Sequence, residues 1–270
     1  MILRPSRILR ELRAGANPCT LKLNLNDPRV IEMAGLSGAS GVWICNEHVP
    51  NDWSNLEHQV RAARLHDLDS IVRVSKGAYS DYVKAFELDA TAIMVPHVTS
   101  AEEARKLVEM TRFQPLGRRP IDGGNIDGGF CQVPIKEYLH HSNTEKLLIF
   151  QIESPEALAQ VEEIAAVPGY DVLLFGPGDF SHLIGKAGQI HDPEVVAARK
   201  RVAAAGRQHG KHLMMPGMIG PRRELEEEGW RIFNLGADVL CLGSAFNQLV
   251  AEYQGTPAVA PATVYNSSEK

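Results

Sequence analysis

The sequence predicts a (β/α)₈ barrel made from one chain. Short apolar runs recur along it, each followed by a stretch with helical patterning. Eight such pairs fit into roughly 250 residues, the number that closes a barrel of this kind. Two of the runs end in carboxylates, Gln151-Ile152-Glu153 and Gly176-Pro177-Gly178-Asp179. Charge at strand ends is where such barrels carry their chemistry.

The elements follow in order. Met1 to Arg13 holds Ile8, Leu9 and Leu12 on one face at helical spacing, among arginines, and reads as a short amphipathic helix. It lacks the sustained apolar region and small-residue cleavage site of a targeting peptide. The expected strands are Thr20–Leu23, Val42–Cys45, Ile71–Val74, Ala92–Val95, Leu147–Ile152, Val172–Phe175, His212–Met215 and Val239–Leu242. The expected helices are Pro28–Leu36, Trp53–His66, Ala78–Leu88, Ala101–Met110, Pro155–Ala165, Pro193–His209, Arg222–Leu235 and Ser244–Tyr253. Residues 1–253 are read as one domain, and 254–270 as an extended or disordered tail. One insertion, Arg112 to Thr144, interrupts the rhythm with the glycine-rich Asp122–Gly129. Long loops of this kind in compact domains tend to serve a site. A doubly wound open sheet is the structural alternative, but no GxGxxG follows the first strand.

Composition narrows the function. A net charge of −5 gives no reason to expect nucleic acid or an anionic membrane as partner. No apolar run approaches the roughly 20 residues that span a bilayer. Cys19, Cys45, Cys131 and Cys241 are scattered without a CxxC pair, which fits a reducing, cytoplasmic setting. Cys45 and Cys241 lie in apolar runs and read as buried.

The strand ends carry the chemistry. Glu153 and Asp179 fall on adjacent strand ends, about 5 Å apart by strand spacing. Two such acids repel unless a cation lies between them. Hard oxygen donors with no Cys or His at ligand spacing suit Mg²⁺ or Mn²⁺, with Co²⁺ as an alternative. Helix capping by either acid is the competing explanation. Arg73 stands inside the apolar run Ile71-Val72-Arg73-Val74. It reads either as a clamp for a carboxylate or enolate oxygen, or as an ion pair with Glu47. His48 sits where a base would be needed. His97, His182, His209 and His212 are given no role. Gly176-Pro177-Gly178 lets backbone N–H groups approach an anion.

With these residues in view, the chain resembles the HpcH/HpaI aldolase family, the metal-dependent pyruvate aldolases related to citrate lyase β-subunits. The likeness runs from about Thr20 to Leu249. It is carried by Glu47-His48-Val49-Pro50-Asn51-Asp52, Val95-Pro96, Thr99 to Ala104, Gln151-Ile152-Glu153 and Gly176-Pro177-Gly178-Asp179-Phe180-Ser181. The resemblance implies metal ligands at Glu153 and Asp179, a catalytic histidine at His48 and an essential arginine at Arg73. It implies Gln151 beside the keto acid, and backbone contacts to the substrate carboxylate at Gly178 and Asp179. It also implies a homo-oligomer, commonly a hexamer with an exchanged C-terminal helix. The reaction implied is reversible cleavage of a 4-hydroxy-2-oxo acid to pyruvate, or a close 2-oxo acid, and an aldehyde.

Two positions depart from the family pattern. Asp-Gly-Glu-His becomes Cys45-Asn46-Glu47-His48, and Gly-x-Arg-Gly becomes Gly117-Arg118-Arg119-Pro120. The Asp122–Gly129 loop is expected to border the aldehyde site. Rival readings are a Schiff-base aldolase using Lys22, which is expected at the barrel's rim or bottom, and a barrel that binds a 2-oxo acid without turnover. A decarboxylase or an acyl-CoA lyase on the same fold also stands open, although the arginine pairs Arg118-Arg119 and Arg222-Arg223 read as solvated surface.

Overall fold

Side chains alternate along a strand, so every second residue of a barrel strand faces inward and the others face the helices. That parity organises this protein. The computed structural model describes residues 3–217, 220–261 and 263. Eight parallel strands close into a barrel in chain order.

The chain begins with α1 (Arg7–Arg13), then β1 (Cys19–Leu23), α2 (Pro28–Leu36), β2 (Gly41–Cys45), α3 (Trp53–Leu65) and β3 (Asp69–Arg73). It continues through α4 (Tyr79–Glu87), β4 (Ala92–Val95), α5 (Ala101–Thr111), α6 (Ile135–Glu145) and β5 (Leu147–Ile152). Then come α7 (Pro155–Ala159), α8 (Val161–Ala165), β6 (Val172–Phe175), α9 (Pro177–Leu183) and α10 (Pro193–Gln208). The end is β7 (His212–Pro216), α11 (Arg222–Glu228), β8 (Ile232–Ala237) and α12 (Asp238–Gln254).

Inward-facing Trp43, Ile71, Met94, Ile149, Leu174 and Met214 fill the barrel and form one buried cluster with Ile8 and Leu9 of α1. The second, larger cluster lies between barrel and helices; Val42, Ile44, Val72, Ile93, Leu148, Phe150 and Leu173 belong to it. The α1 helix plugs the N-terminal end of the barrel. Its seat is Asp69, fully buried at the start of β3. One carboxylate oxygen of Asp69 accepts from Arg4 Nη2 (2.8 Å) and the Arg7 backbone N (3.0 Å). The other accepts from Ser6 Oγ (2.5 Å) and the Ile8 backbone N (2.9 Å). Closing one end leaves the other as the mouth.

Several expectations are corrected. The eighth strand is Ile232–Ala237, and Val239–Leu242 belongs to α12, as do Gly243 and Ser244. A four-residue apolar run does not distinguish a strand from a helix. Asp238 settles this one, because its carboxylate accepts from the Asn24 and Leu25 backbone N–H groups (2.9 Å each) and starts α12 against the β1 loop. Helix α11 therefore stops at Gly229, which takes a left-handed conformation (φ 104°). The stretch Pro155–Ala165 breaks at Gln160 into α7 and α8. Cys241 is exposed on α12.

The insertion also departs from expectation. It folds into a 3₁₀ turn (Ile126–Gly128) and α6 rather than an open loop. Arg119 is buried, not solvated: its Nη2 lies 2.9 Å from Asp127 Oδ2, which also accepts from Tyr138 OH (2.7 Å). The Arg119 guanidinium stacks near Phe113, 4.6 Å from the ring centroid. A buried ion pair needs such extra bonds to be tolerated, and here they draw Asp122–Gly129 onto α4 and α6. No residue from 112 to 144 lines the mouth cavity of this chain.

The apolar side of α12 is uncovered, with Phe246, Leu249, Val250 and Tyr253 exposed. After Gln254 the chain turns back along it, where Asn247 Nδ2 donates to Val259 O (2.7 Å). Within the expected tail, 262 and 264–270 lie outside the described residues. No described helix is long and apolar enough to cross a membrane.

Candidate active site

The mouth opens into a cavity of about 580 Å³. Lys22, His48, Arg73, Gln151, Gly178 and Asp179 all line it, and Glu153 lies just behind. The structure thus brings every sequence-predicted site residue to one end of the barrel. It also brings Lys22 there from β1, not to the bottom of the barrel.

Glu153 follows β5 and is 1% exposed. It does not cap α7; Ser154 does, accepting from Ala157 N. The Glu153 carboxylate is instead held by three donors. Oε1 accepts from the His97 backbone N (2.9 Å) and faces His97 Nδ1 (3.0 Å). Oε2 accepts from Gln151 Nε2. A carboxylate offers about four acceptor positions, so one position on Oε2 stays free among the described residues. Gly176 is why the carboxylate fits: a Cβ there would come within 2.7 Å of Glu153 Oε2. Asp179 occupies the first turn of α9 and is exposed to the mouth. Gly176 offers no side chain to cap α9, so the first amides of that turn have no side-chain partner from it.

Arg73 ends β3 with its side chain 5% exposed. Its Nε lies 3.0 Å from Glu47 Oε2, an ion pair without straight hydrogen-bond geometry. Its Nη2 donates to Cys45 Sγ (3.0 Å), and its guanidinium lies over Trp43, 4.9 Å from the ring centroid. The ion pair with Glu47 is therefore present, and Arg73 lines the cavity as well. Burial opposes a thiolate at Cys45, but the charge and hydrogen bond of Arg73, with backbone N–H groups of His48 and Glu47, hold the thiol below its usual pKa. Cys45 thus supports Arg73 and the His48 backbone (3.5 Å), not the His48 ring. The His48 ring is exposed at the rim, its Nε2 3.4 Å from Glu47 Oε2.

Sequence reasoning missed His97. Its ring bridges Glu153 and Glu47, with Nε2 3.5 Å from Glu47 Oε1. The Glu153 hydrogen bond raises its pKa, against the opposing effect of burial. Its backbone is left-handed (φ 51°), unusual for a residue other than glycine. The position after the fourth strand, Pro96-His97, was the available signal. His182 also lines the cavity.

Among the described residues, no group of three or more His, Cys, Asp or Glu side chains could hold a metal ion by itself. A metal would have to be held by fewer protein ligands. The chemistry of the two acids fits that case: both are hard oxygen donors at the mouth, and Glu153 keeps a free acceptor position. Beside them Gln151 Oε1 is buried with no hydrogen-bond partner among the described residues, an acceptor suited to a water or substrate group on such an ion.

An eight-stranded parallel barrel with acids, an arginine and histidines gathered at the carboxyl ends of its strands is the architecture of an enzyme. The chain belongs to the HpcH/HpaI aldolase/citrate lyase family, whose model matches residues 20–243. It is an aldolase, a carbon–carbon lyase acting on small molecules. It is 31% identical over 267 residues to a hydroxypyruvate/pyruvate aldolase of Pseudomonas aeruginosa, covering 97% of each chain. It is 32% identical over 246 residues to a 2-dehydro-3,6-dideoxy-6-sulfogluconate aldolase of Pseudomonas putida, covering 87% of this chain and 92% of that one. Among solved structures, an HpcH/HpaI aldolase from Desulfitobacterium hafniense superposes with a TM-score of 0.85 at 25% identity, covering 94% and 99%.

Proposed function

We propose that this enzyme reversibly cleaves a 4-hydroxy-2-oxo acid to pyruvate, or a close 2-oxo acid, and an aldehyde, with a divalent cation as cofactor. The observation that carries the reading is the convergence of Glu153, Asp179, Gln151, Arg73 and His48 on one mouth cavity. The relatives' names support the same chemistry. Glu153 and Asp179 would hold the cation, Mg²⁺ or Mn²⁺ by their oxygen chemistry. When bound, it supplies Lewis-acid polarisation of the 2-oxo group.

The chain's own residues do the rest. Backbone N–H groups of Gly178 and Asp179, at the start of α9, receive the substrate carboxylate. Gln151 holds the keto acid against them. His48 takes the proton of the 4-hydroxyl as the C3–C4 bond breaks, leaving C4 as the aldehyde carbon. The electron pair moves to C3 and spreads onto the 2-oxo oxygen, where Arg73 places positive charge. A proton returned to C3 gives the methyl group of pyruvate. Glu47, touching Arg73, His48 and His97, keeps these groups in register.

Assembly belongs to the same reading: a homo-oligomer, hexameric by family likeness, would cover the exposed apolar side of α12. Free thiols at Cys19, Cys45, Cys131 and Cys241 suit a cytoplasmic setting.

The test is exchange of pyruvate methyl protons in D₂O, followed by NMR, beside retro-aldol cleavage. Both are expected to stop in EDTA and to resume on adding Mn²⁺ or Mg²⁺. Full activity in EDTA, with borohydride trapping pyruvate on Lys22, would overturn the reading in favour of Schiff-base chemistry.

Gly176→Ala offers a more local check. Its Cβ would strike Glu153 Cβ and Oε2, at 2.7 Å each. The backbone there (φ −100°) accepts alanine, so the fold should persist. Mn²⁺ affinity is expected to fall about ten- to a hundredfold, as when the support of a ligand is disturbed. Unchanged affinity would remove Glu153 as a ligand.

A further inference from the structure

The reaction above gives His97 no role. It does not line the mouth cavity; it stands behind the acids, in the turn after β4. Four of its polar atoms are nonetheless engaged. The backbone N and the ring Nδ1 both meet one oxygen of Glu153, Oε1, at 2.9 and 3.0 Å. The ring Nε2 lies 3.5 Å from Glu47 Oε1. The carbonyl accepts from Lys76 Nζ (2.7 Å). The other oxygen of Glu47 faces Arg73 Nε (3.0 Å) and His48 Nε2 (3.4 Å). A continuous path of contacts therefore runs from Glu153 through His97 and Glu47 to Arg73 and His48.

The backbone gives a second, independent observation. At φ 51° His97 is left-handed, a conformation disfavoured for a residue with a Cβ. The turn is pinned on both sides, by Lys76 on the His97 carbonyl and by Val98 N donating to Gln151 O (3.3 Å). Strain of this kind persists where the surroundings over-determine it, and it gathers at functional sites. Glycine would relieve the turn and still offer its N–H to Glu153. Asparagine also tolerates the left-handed region; its amide can reach Glu153 from the place of Nδ1 but is too short for Glu47. What histidine alone adds is the span between the two carboxylates.

We propose that His97 is a positioning residue that ties Glu153 to Glu47, so that cation binding at Glu153 and the setting of Arg73 and His48 are energetically coupled. This rests on the aldolase reading above. The residue touches no reacting atom. Its backbone N–H and Nδ1 fix the Glu153 carboxylate, and Nε2 fixes the Glu47 carboxylate that orients the arginine and the catalytic histidine. Residues that share one partner in this way are expected to respond non-additively to substitution.

The experiment combines His97→Gly, His97→Asn and Glu47→Gln, singly and with Glu47→Gln in each His97 background. Both His97 substitutions suit the left-handed turn, and circular dichroism checks that the fold is kept. Mn²⁺ titration by electron paramagnetic resonance reads affinity without turnover; retro-aldol kcat and KM follow. His97→Gly is expected to weaken Mn²⁺ binding by about tenfold, and His97→Asn, which keeps the Glu153 contact, by less than about twofold. Both should lower kcat by about tenfold with KM little changed, the mark of a loss in the transition state alone. Glu47→Gln should weaken Mn²⁺ binding by about fivefold with His97 present and by less than about twofold in either His97 background. An equal Glu47→Gln effect in all three backgrounds would overturn the inference, since Glu47 would then act across space without the ring. Full Mn²⁺ affinity and kcat in His97→Gly would overturn it too, leaving His97 as a filler of the turn. Glu153→Gln reports separately on the aldolase reading. If that substitution abolishes Mn²⁺ binding while the cycle stays additive, this inference falls alone. If it leaves Mn²⁺ binding intact, Glu153 is no ligand and both readings fall together.

Discussion

Glu153→Gln is expected to lower retro-aldol kcat by about a thousandfold, the upper end for removing one group that stabilises developing charge. The substitution looks isosteric and is not so at this position. Both carboxylate oxygens accept hydrogen bonds: Oε1 from His97, Oε2 from Gln151. A glutamine amide must aim its NH₂ at one of those donor sets, so a donor meets a donor whichever way it turns. The side chain then loses the negative charge a cation needs and the orientation that presents it. Loss should appear as weaker Mn²⁺ binding by electron paramagnetic resonance titration, with an unchanged circular dichroism spectrum. Retained metal binding with full retro-aldol activity would remove Glu153 from the chemistry.

The second large effect lies at the other end of the barrel. Asp69→Ala is expected to destabilise the fold by about 3–5 kcal/mol, the cost of breaking a buried, charge-paired network. Four donors converge on that side chain, and two of them are the backbone N–H groups of Arg7 and Ile8 that open α1. Removing the carboxylate strands the Arg4 guanidinium, which is held also by Thr91 Oγ1 (2.9 Å) and Leu68 O (2.9 Å). It also loosens Ile8 and Leu9 from the barrel interior. Urea denaturation checks the figure, and a loss under about 0.5 kcal/mol, the size of an ordinary surface change, would show that α1 is seated by its apolar contacts alone. Asp69→Asn should fall between the two, since it keeps the shape and one acceptor.

The barrel was legible because most of its strands are buried on both faces and read as continuous apolar runs, and the site was legible because polar groups interrupt those runs. Arg73, Gln151 and Glu153 are polar groups at inward positions of apolar runs, which is where a functional group has to stand. The eighth strand hid for the same reason. Asn234 and Gly236 occupy its inward positions and line the mouth, while Leu235 faces out and is exposed, so no apolar run marked it. The Asp122–Gly129 segment misled because glycine-rich composition cannot disclose a buried ion pair formed with Arg119 and completed by Tyr138. Lys22 and His97 needed the closed ring. Their partners come from β2, from β5 and from the β2 loop, and sequence spacing carries no sign of neighbours across a barrel.

The plug at the foot of the barrel also sets an order of events during synthesis. Residues 4–13 leave the ribosome well before their partners. Asp69 follows about sixty residues later, and Glu145, which accepts from the Ser6 backbone N (3.0 Å) and pairs with Arg13 (2.9 Å), 139 and 132 residues after them. This segment must therefore wait, unplaced, until half the barrel exists, and its docking then ties strands far apart in sequence to one another. Until that moment Ile8 and Leu9 remain apolar surface on a growing chain.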